Sequence, residues 1–156
     1  MTAVKKFDRL IFLDADDTTR APMAAQIMRT KELLSDLKIF SRGLVVLFPE
    51  PVNQKAEAIL VSRGLSAKGH TAKQLEQEEI TPRTLILTME DNQKDKVWCT
   101  YSDAGNVYTL AEFVGAKGDL IPLYGEPLPS YGKCFEILEI LVNALAVKLN
   151  KEELEK

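Results

Sequence analysis

The stretch from Leu10 to Pro22 limits the possible folds of this chain more than any other part of the sequence. Residues 10–13 form a continuous apolar run, typical of a strand buried on both faces of a sheet. A polar turn follows from Asp14 to Arg20, and Pro22 falls where the first turn of a helix tolerates proline. A strand that passes through a short turn into a helix is a common layout for phosphate binding. The pattern therefore predicts an anion-binding loop here.

The rest of the chain alternates between strand-like and helix-like segments. Strands are predicted at residues 10–13, 37–41, 83–88 and 107–110; helices are predicted from Pro22, from Asn53 to Gly64, and at residues 71–79, 91–101 and 130–149. Residues 120–131 contain three prolines and one glycine, which predicts a loop. Alternation of this kind predicts one α/β domain over residues 1–156, with a core at about 8–149 and a charged tail at 151–156. Ligands of such sheets bind beyond the carboxyl ends of the strands, which is where the Asp14 loop lies.

Composition excludes several classes of function. The net charge of −3 and the pI near 5.3 do not favour binding to nucleic acid or to an anionic membrane surface. No apolar stretch is long enough to span a membrane, and no apolar segment follows the lysines of residues 1–9, so we expect neither a membrane anchor nor a signal peptide. Cys99 and Cys134 lie far apart, which predicts reduced thiols in a cytoplasmic protein. His70 is the only histidine, so a zinc site is not expected.

Several further motifs follow one another in a characteristic order. After the second predicted strand comes Ser41-Arg42-Gly43. The later blocks are Ile59-Leu60, Arg63-Gly64-Leu65, Gly69-His70, residues 72–75, residues 85–89, residues 107–115 and Gly118-Asp119-Leu120. In order and spacing the chain resembles the low-molecular-weight protein tyrosine phosphatase family, with its related arsenate reductases and protein-arginine phosphatases, over about residues 8–147. The resemblance implies a three-layer fold whose four-stranded parallel sheet has the strand order 2-1-3-4.

The catalytic motifs of that family are altered in this chain. Members carry Cys-x5-Arg-Ser-Pro at the first loop, and the corresponding frame here is Asp14, five residues, then Arg20-Ala21-Pro22. The family's Asp-Pro pair, whose aspartate protonates the leaving group, falls on Pro122-Leu123; Leu128-Pro129 is a second registration. Neither registration places a carboxylate at the acid position. The resemblance therefore implies a member that has lost both its nucleophile and its general acid.

The altered loop keeps parts that bind anions and adds parts that repel them. We expect the anion-binding loop to consist of Asp14, Ala15, Asp16, Asp17, Thr18, Thr19 and Arg20. Its three carboxylates oppose the single charge of Arg20, and two unit charges 4 Å apart interact by about 4 kcal/mol at an effective dielectric constant of 20. We expect the amides of the loop to hold the Asp14 carboxylate itself. Those donors, with Arg20, should then lower the pKa of Asp14.

A second interpretation assigns different chemistry to the same residues. The sequence from Asp14 to Thr18 matches the Asp-x-Asp-x-Thr pattern of haloacid-dehalogenase-like phosphatases, in which the first aspartate is the nucleophile and Mg²⁺ offsets the charge. That interpretation predicts a metal site at Asp14 and Asp16, and a metal-assisted phosphatase or phosphotransferase. The lysine and acidic pair that should follow downstream are not evident in this sequence.

The leading hypothesis is a non-catalytic binding or regulatory module that needs no cofactor. Its expected partner is a protein or a small anionic ligand, and the sequence does not give the oligomeric state. Arg42 and Tyr124 are the residues predicted to line the pocket. Arg42 could pair with Asp16 or Asp17, and Tyr124 lies in the loop that should overhang the site. His70 is expected to have a packing or backbone-bonding role.

Overall fold

The computed structural model describes residues 6–154, without the side chain of Leu154. Its four strands are β1 (Arg9–Asp14), β2 (Lys38–Gly43), β3 (Thr84–Thr88) and β4 (Val107–Thr109). Its five α-helices are α1 (Arg20–Arg29), α2 (Gln54–Ser62), α3 (Asp91–Thr100), α4 (Leu110–Phe113) and α5 (Leu128–Leu154). Residues 1–5 of the N-terminal segment, for which no signal peptide is expected, and the last two residues of the charged tail lie outside the described part.

The strands form one parallel sheet in the order β2-β1-β3-β4, as the family resemblance implies. The apolar run of β1 lies at the centre of this sheet and alternates between two cores. Leu10 and Phe12 point into the larger core, beneath α1, α2, α4 and α5, whereas Ile11 and Leu13 point into a smaller one that includes Val97 of α3. The expected three-layer α/β fold is therefore confirmed, with β1 buried on both faces.

Two of the predicted elements differ from those of the structure. Residues 71–79 do not form an α-helix but an extended segment followed by a 3₁₀ turn at Gln77–Glu79. The amide of Gly43 donates to the carbonyl of Lys73, and the amide of Leu75 donates to the carbonyl of Gly43. These backbone groups of residues 73 and 75 pair with the sheet edge, so they are not available for hydrogen bonds within a helix. The last helix begins at Leu128 rather than at residue 130, because Pro129 lies in its first turn, where no intrahelical donor is required.

Helix α5 continues to Leu154, so residues 151–154 of the predicted tail are helical. Among residues 6–154, no helix is both long and apolar enough to cross a membrane.

Candidate anion-binding site

The loop of residues 15–19 lies at the carboxyl end of β1, between that central strand and α1. Neighbouring segments hold it in place through the backbone. The amide of Leu44 donates to the carbonyl of Asp14 at 3.0 Å, and the amide of Asn53 donates to the carbonyl of Thr18 at 2.9 Å. Because β1 is buried and its end is bonded on both sides, the loop is a well-supported cradle at the sheet edge where ligands of α/β folds bind.

Gly43 at the end of β2 allows the loop to approach the sheet closely. A Cβ atom at this position would lie 2.7 Å from the carbonyl carbon of Asp16 and 2.8 Å from its Cα. Both atoms belong to the loop backbone, so a larger residue could be accommodated only by moving the loop. A glycine at position 43 is therefore required for the loop backbone to pack this closely against the end of β2.

The carboxylate of Asp14 forms the floor of the cradle. Its Oδ1 accepts a hydrogen bond from the amide of Asp17 at 2.6 Å, and its Oδ2 accepts one from the amide of Ala21 at 2.9 Å. The residue is only 1% exposed. As expected from the sequence, the loop directs backbone donors at this carboxylate.

The expected direction of the Asp14 pKa was wrong. Burial raises the pKa of this carboxyl from 3.8 to about 6, because removing the charged form from water outweighs the two amide hydrogen bonds and the nearby charge of Arg20. The neighbouring charge of Asp17 adds a smaller increase. The floor of the cradle therefore changes charge near pH 6.

Asp17 occupies the bend of the loop in a left-handed conformation, with φ of 60°. Aspartate and asparagine adopt this region more readily than most residues. Its carbonyl lies 2.7 Å from Nε2 of His70, and its Oδ2 accepts from the amide of Lys73 at 3.0 Å. Its Oδ1 is buried without a hydrogen-bond partner among residues 6–154; the Ser41 hydroxyl lowers the pKa of this carboxyl without meeting the geometry of a hydrogen bond. Burial is the larger influence and raises that pKa.

Arg20, the first residue of α1, is held by groups from two other segments. Its Nη1 lies 2.8 Å from Oε2 of Glu90 and donates to the carbonyl of Leu120 at 2.9 Å. The side chain is only 3% exposed. Its Nε is buried with no hydrogen-bond partner within the described chain. The charge of Arg20 is thus largely neutralised by Glu90, while its buried Nε is left unpaired.

Other donors of the loop are also available. Within residues 6–154, the amides of Ala15, Asp16, Thr18 and Thr19 have no hydrogen-bond acceptor. The side chain of Asp16 accepts from the Thr18 hydroxyl at 2.7 Å. The loop therefore combines unpaired amides, which favour an anion, with carboxylates that oppose one.

The residues predicted to complete the pocket lie in different environments. Pro122 is exposed, Leu123 is buried, and Tyr124 is 95% exposed, so the Pro122-Leu123 pair contributes no carboxylate from the loop that follows α4. Arg42 does not bond to Asp16 or Asp17. Its Nε donates to Oε1 of Glu79 at 2.8 Å, so its charge is paired with a carboxylate outside the loop.

The geometry does not favour the magnesium site suggested by Asp14 and Asp16. Both oxygens of Asp14 already accept amide hydrogens, and the residue is buried. Over the described range, no group of three or more His, Cys, Asp or Glu side chains could hold a metal ion.

Sequence reasoning did not identify the residues that hold Arg20 and Arg42 in place. Glu90 and Leu120, which hold Arg20, follow β3 and α4, and Glu79 holds Arg42. Glu90 could have been identified, because it comes just after a predicted strand and therefore lies at the same sheet edge as the loop. The roles of Leu120 and Lys73 depend on backbone atoms, for which the sequence carries no signal.

The chain is similar to several known proteins. The sequence model of low molecular weight phosphotyrosine protein phosphatases matches residues 9–155. The low molecular weight protein-tyrosine-phosphatase PtpB of Staphylococcus haemolyticus is 32% identical over 137 residues, which are 88% of this chain and 96% of that protein. A protein-arginine-phosphatase of Geobacillus stearothermophilus is 31% identical over 147 residues, which are 93% and 98% of the two chains.

Solved structures support the same assignment. The structure of the YwlE arginine phosphatase from Geobacillus stearothermophilus superimposes with a TM-score of 0.87 at 31% identity, covering 94% of this chain and 96% of that one. The matched region includes all four strands and the Asp14 loop. This chain therefore belongs to the low molecular weight phosphotyrosine protein phosphatase family.

Proposed function

We propose that this member of the family is a non-catalytic binding or regulatory module that acts in the cytoplasm. Its partner is a protein or a small anionic ligand recognised at the mouth of the Asp14 loop. The proposal rests chiefly on one observation: the carboxylate of Asp14 accepts the amides of Asp17 and Ala21 at the position that the family resemblance assigns to the nucleophilic cysteine.

A carboxylate held in this way is poorly suited to attack phosphorus. Attack requires an approach to the phosphoryl group, whereas both oxygens of Asp14 face loop amides and the residue is 1% exposed. Above pH 6 its charge also repels a phosphate dianion. The Asp14 carboxylate thus repels the phosphate group that the surrounding amides would otherwise bind.

The leaving group would also lack a proton donor. The acid position falls on exposed Pro122, which has no titratable group, and the alternative registration places Leu128-Pro129 in the first turn of α5. General acid catalysis typically contributes about 10²–10⁴-fold to rate. The absence of this proton donor therefore lowers the expected rate of hydrolysis independently of the change at Asp14.

The first test is hydrolysis of an aryl phosphate by the metal-free protein. We expect no turnover above buffer between pH 5 and pH 8, because nucleophile and acid are both replaced. The tyrosine phosphatase of Staphylococcus haemolyticus serves as the positive control. Turnover that disappears in an Asp14→Ala variant would overturn the proposal. Mg²⁺-dependent turnover with a beryllofluoride adduct at Asp14 would instead support the metal-assisted alternative, which no feature of the geometry favours.

The second test concerns the anion cradle that remains. Asp14→Ala removes the charged floor while leaving the amides of Ala15, Asp16, Thr18 and Thr19 and the Nε of Arg20. We expect sulfate at several times its Kd to stabilise this variant by about 1 kcal/mol at pH 7.5, and to stabilise the unaltered protein far less. Thermal unfolding in sulfate and in chloride of equal ionic strength measures the difference.

The control for the sulfate test is Asp36→Ala, which removes an exposed carboxylate and changes the net charge equally. If sulfate stabilises both variants by the same amount, the effect is general screening and the cradle has no residual affinity for anions.

A further inference from the structure

The three carboxylates of the Asp14 loop differ in their surroundings. Only that of Asp14 lies inside the loop, where it accepts from the amides of Asp17 and Ala21 at 2.6 Å and 2.9 Å. Asp16 is exposed to solvent. The carboxylate of Asp17 is bound outside the loop, where it accepts from the amide of Lys73 at 3.0 Å. Asp14 is therefore the carboxylate that an anion held by the loop would face.

The charge of Asp14 has no cation of its own. The nearby Arg20 lies 2.8 Å from Glu90, so most of its charge is already matched. Burial raises the pKa of Asp14 to about 6 against the lowering influence of Arg20, and the charge of Asp17 adds a smaller increase. Cys134 of α5 also senses the charge of Asp14, but burial raises the pKa of this thiol to about 11. The thiol is therefore neutral near pH 6, and Asp14 is the group that changes charge there.

Several hydrogen-bond donors around this carboxylate have no acceptor within residues 6–154. They are the amides of Ala15, Asp16, Thr18 and Thr19, and the Nε of Arg20, which is buried. Buried donors without an acceptor are uncommon in folded proteins, so each one indicates a missing partner. A tetrahedral oxyanion offers several acceptor oxygens, and the start of a helix such as α1 favours negative charge. The unpaired donors therefore indicate an oxyanion as the missing partner.

An ionised Asp14 and a bound oxyanion are mutually unfavourable, because two negative charges would lie together in a poorly solvated loop. Protonation of Asp14 removes this repulsion. The neutral carboxyl group keeps acceptor capacity, so the amides of Asp17 and Ala21 can stay bonded to it. By thermodynamic linkage, whatever the proton adds to the affinity for the anion, the anion adds to the affinity of Asp14 for the proton.

From this arrangement we propose that the Asp14 loop binds a tetrahedral oxyanion together with one proton, which Asp14 holds. The inference rests on the proposed function and deepens it, because it specifies how the anionic ligand is recognised at the same loop. The loop is then competent for an anion when Asp14 is neutral, and it releases the anion as the pH rises and Asp14 ionises.

Sulfate is a suitable probe, because it stays fully ionised over the pH range of the test and cannot supply the proton itself. Its Kd is measured by NMR titration of the amides of Ala15, Asp16, Thr18 and Thr19 at a series of pH values. We expect sulfate to bind about thirtyfold more weakly at pH 7.5 than at pH 5, since the protonated fraction of Asp14 falls by about this factor. Phenyl sulfate presents the same group on a ring and should show the same pH dependence. Tighter binding of phenyl sulfate assigns the ligand to a modified side chain, and tighter binding of sulfate assigns it to a free oxyanion.

Three asparagine variants separate Asp14 from the other carboxylates. Asp14→Asn cannot ionise at residue 14, so its affinity for sulfate should be the same at pH 5 and pH 7.5. Asp17→Asn is the matched control within the loop, because asparagine also tolerates the φ of 60° at this position. Burial raises the pKa of Asp17 too, but its carboxylate is bound outside the loop, so this variant should keep the pH dependence. Asp36→Asn, at an exposed carboxylate, should match the unaltered protein at every pH.

A measurement on the unaltered protein avoids any effect of substitution on folding. The carboxyl carbon of Asp14, followed by ¹³C NMR, reports the affinity of this group for its proton. Saturation with sulfate should raise that affinity at least tenfold.

Four results would overturn the inference: no binding of either sulfate at pH 5, an affinity of the unaltered protein that does not change with pH, a pH dependence that persists in Asp14→Asn, or one that disappears in Asp17→Asn. None of them bears on the absence of catalysis. Hydrolysis of aryl phosphates, by contrast, would refute the proposed function whatever the pH dependence of sulfate binding.

Discussion

Replacing Arg20 with methionine is expected to lower the free energy of unfolding by about 3 kcal/mol, the largest effect expected of any substitution considered for this site. The guanidinium is 3% exposed and lies 2.8 Å from Glu90, whose side chain is 20% exposed. Methionine fills similar space but leaves the Glu90 carboxylate partly buried without its cation. It also leaves the carbonyl of Leu120 without its donor. Urea unfolding at pH 7 measures the change.

A surface ion pair provides the control for Arg20. Arg63 lies 3.5 Å from Glu136, and both side chains are exposed, so Arg63→Met should cost less than about 0.5 kcal/mol. A double variant with Arg20→Met and Glu90→Met should be less destabilised than the sum of its single variants, because the unpaired charge is then absent. Equal effects at Arg20 and Arg63 would contradict the structural role assigned to the buried pair.

The second large effect is a dependence of stability on pH caused by Asp14. Its pKa is about 6 in the folded protein against an ordinary value of 3.8, so the folded state binds the proton more tightly. The resulting stabilisation is fully present below pH 3.8 and is lost as the pH rises through 6. Between pH 4 and pH 7 the loss amounts to about 2 kcal/mol. Arg20 and Asp17 are the charged groups facing this carboxyl, and their opposing influences are already included in the shift.

The comparison of the protein with an Asp14→Asn variant isolates this effect from other titrations. Asparagine cannot ionise here, so the variant should gain about 2 kcal/mol relative to the unaltered protein between pH 4 and pH 7. The difference in the free energy of unfolding between the two proteins also includes the loss of one hydrogen-bond acceptor at residue 14. Only the part of this difference that changes with pH therefore reports the pKa of Asp14. Urea unfolding at each pH provides the values.

Glu112 supplies a control of opposite sign for the Asp14 experiment. Lys94 lowers the pKa of Glu112, so the stabilisation from this carboxylate is present at neutral pH and is lost on acidification. A Glu112→Gln variant should therefore lose stability relative to the unaltered protein as the pH rises from 4 to 7. A flat difference for Asp14→Asn would show that the Asp14 carboxyl is not buried as described.

Much of the fold could be predicted from the sequence because its determinants are local. The apolar run of β1 requires burial on both faces, Asn53 caps α2 through bonds to the amides of Lys55 and Ala56, and Gly64 has the positive φ of a helix end. The segment of residues 71–79 was predicted incorrectly, because its structure depends on backbone hydrogen bonds to Gly43, which lies about thirty residues earlier in the sequence.

The candidate site was less predictable than the fold. Residue types located the loop between β1 and α1, and they correctly indicated that loop amides hold Asp14. They did not give the pKa of Asp14, because its direction depends on how completely the carboxylate is buried. They also did not identify Glu90 as the partner of Arg20, since the two residues are brought together only by the parallel arrangement of β1 and β3.

Glu90 makes contacts on both sides of the sheet. It lies immediately before α3 on one side of the sheet, where Oε1 of Gln93 accepts from its backbone amide at 3.0 Å, and its carboxylate holds the first residue of α1 on the other side. The Arg20–Glu90 ion pair therefore connects α1 to the start of α3 across the carboxyl end of the sheet. Because Glu90 contacts both elements, we expect opening of the Asp14 loop to be coupled to fraying of the start of α3.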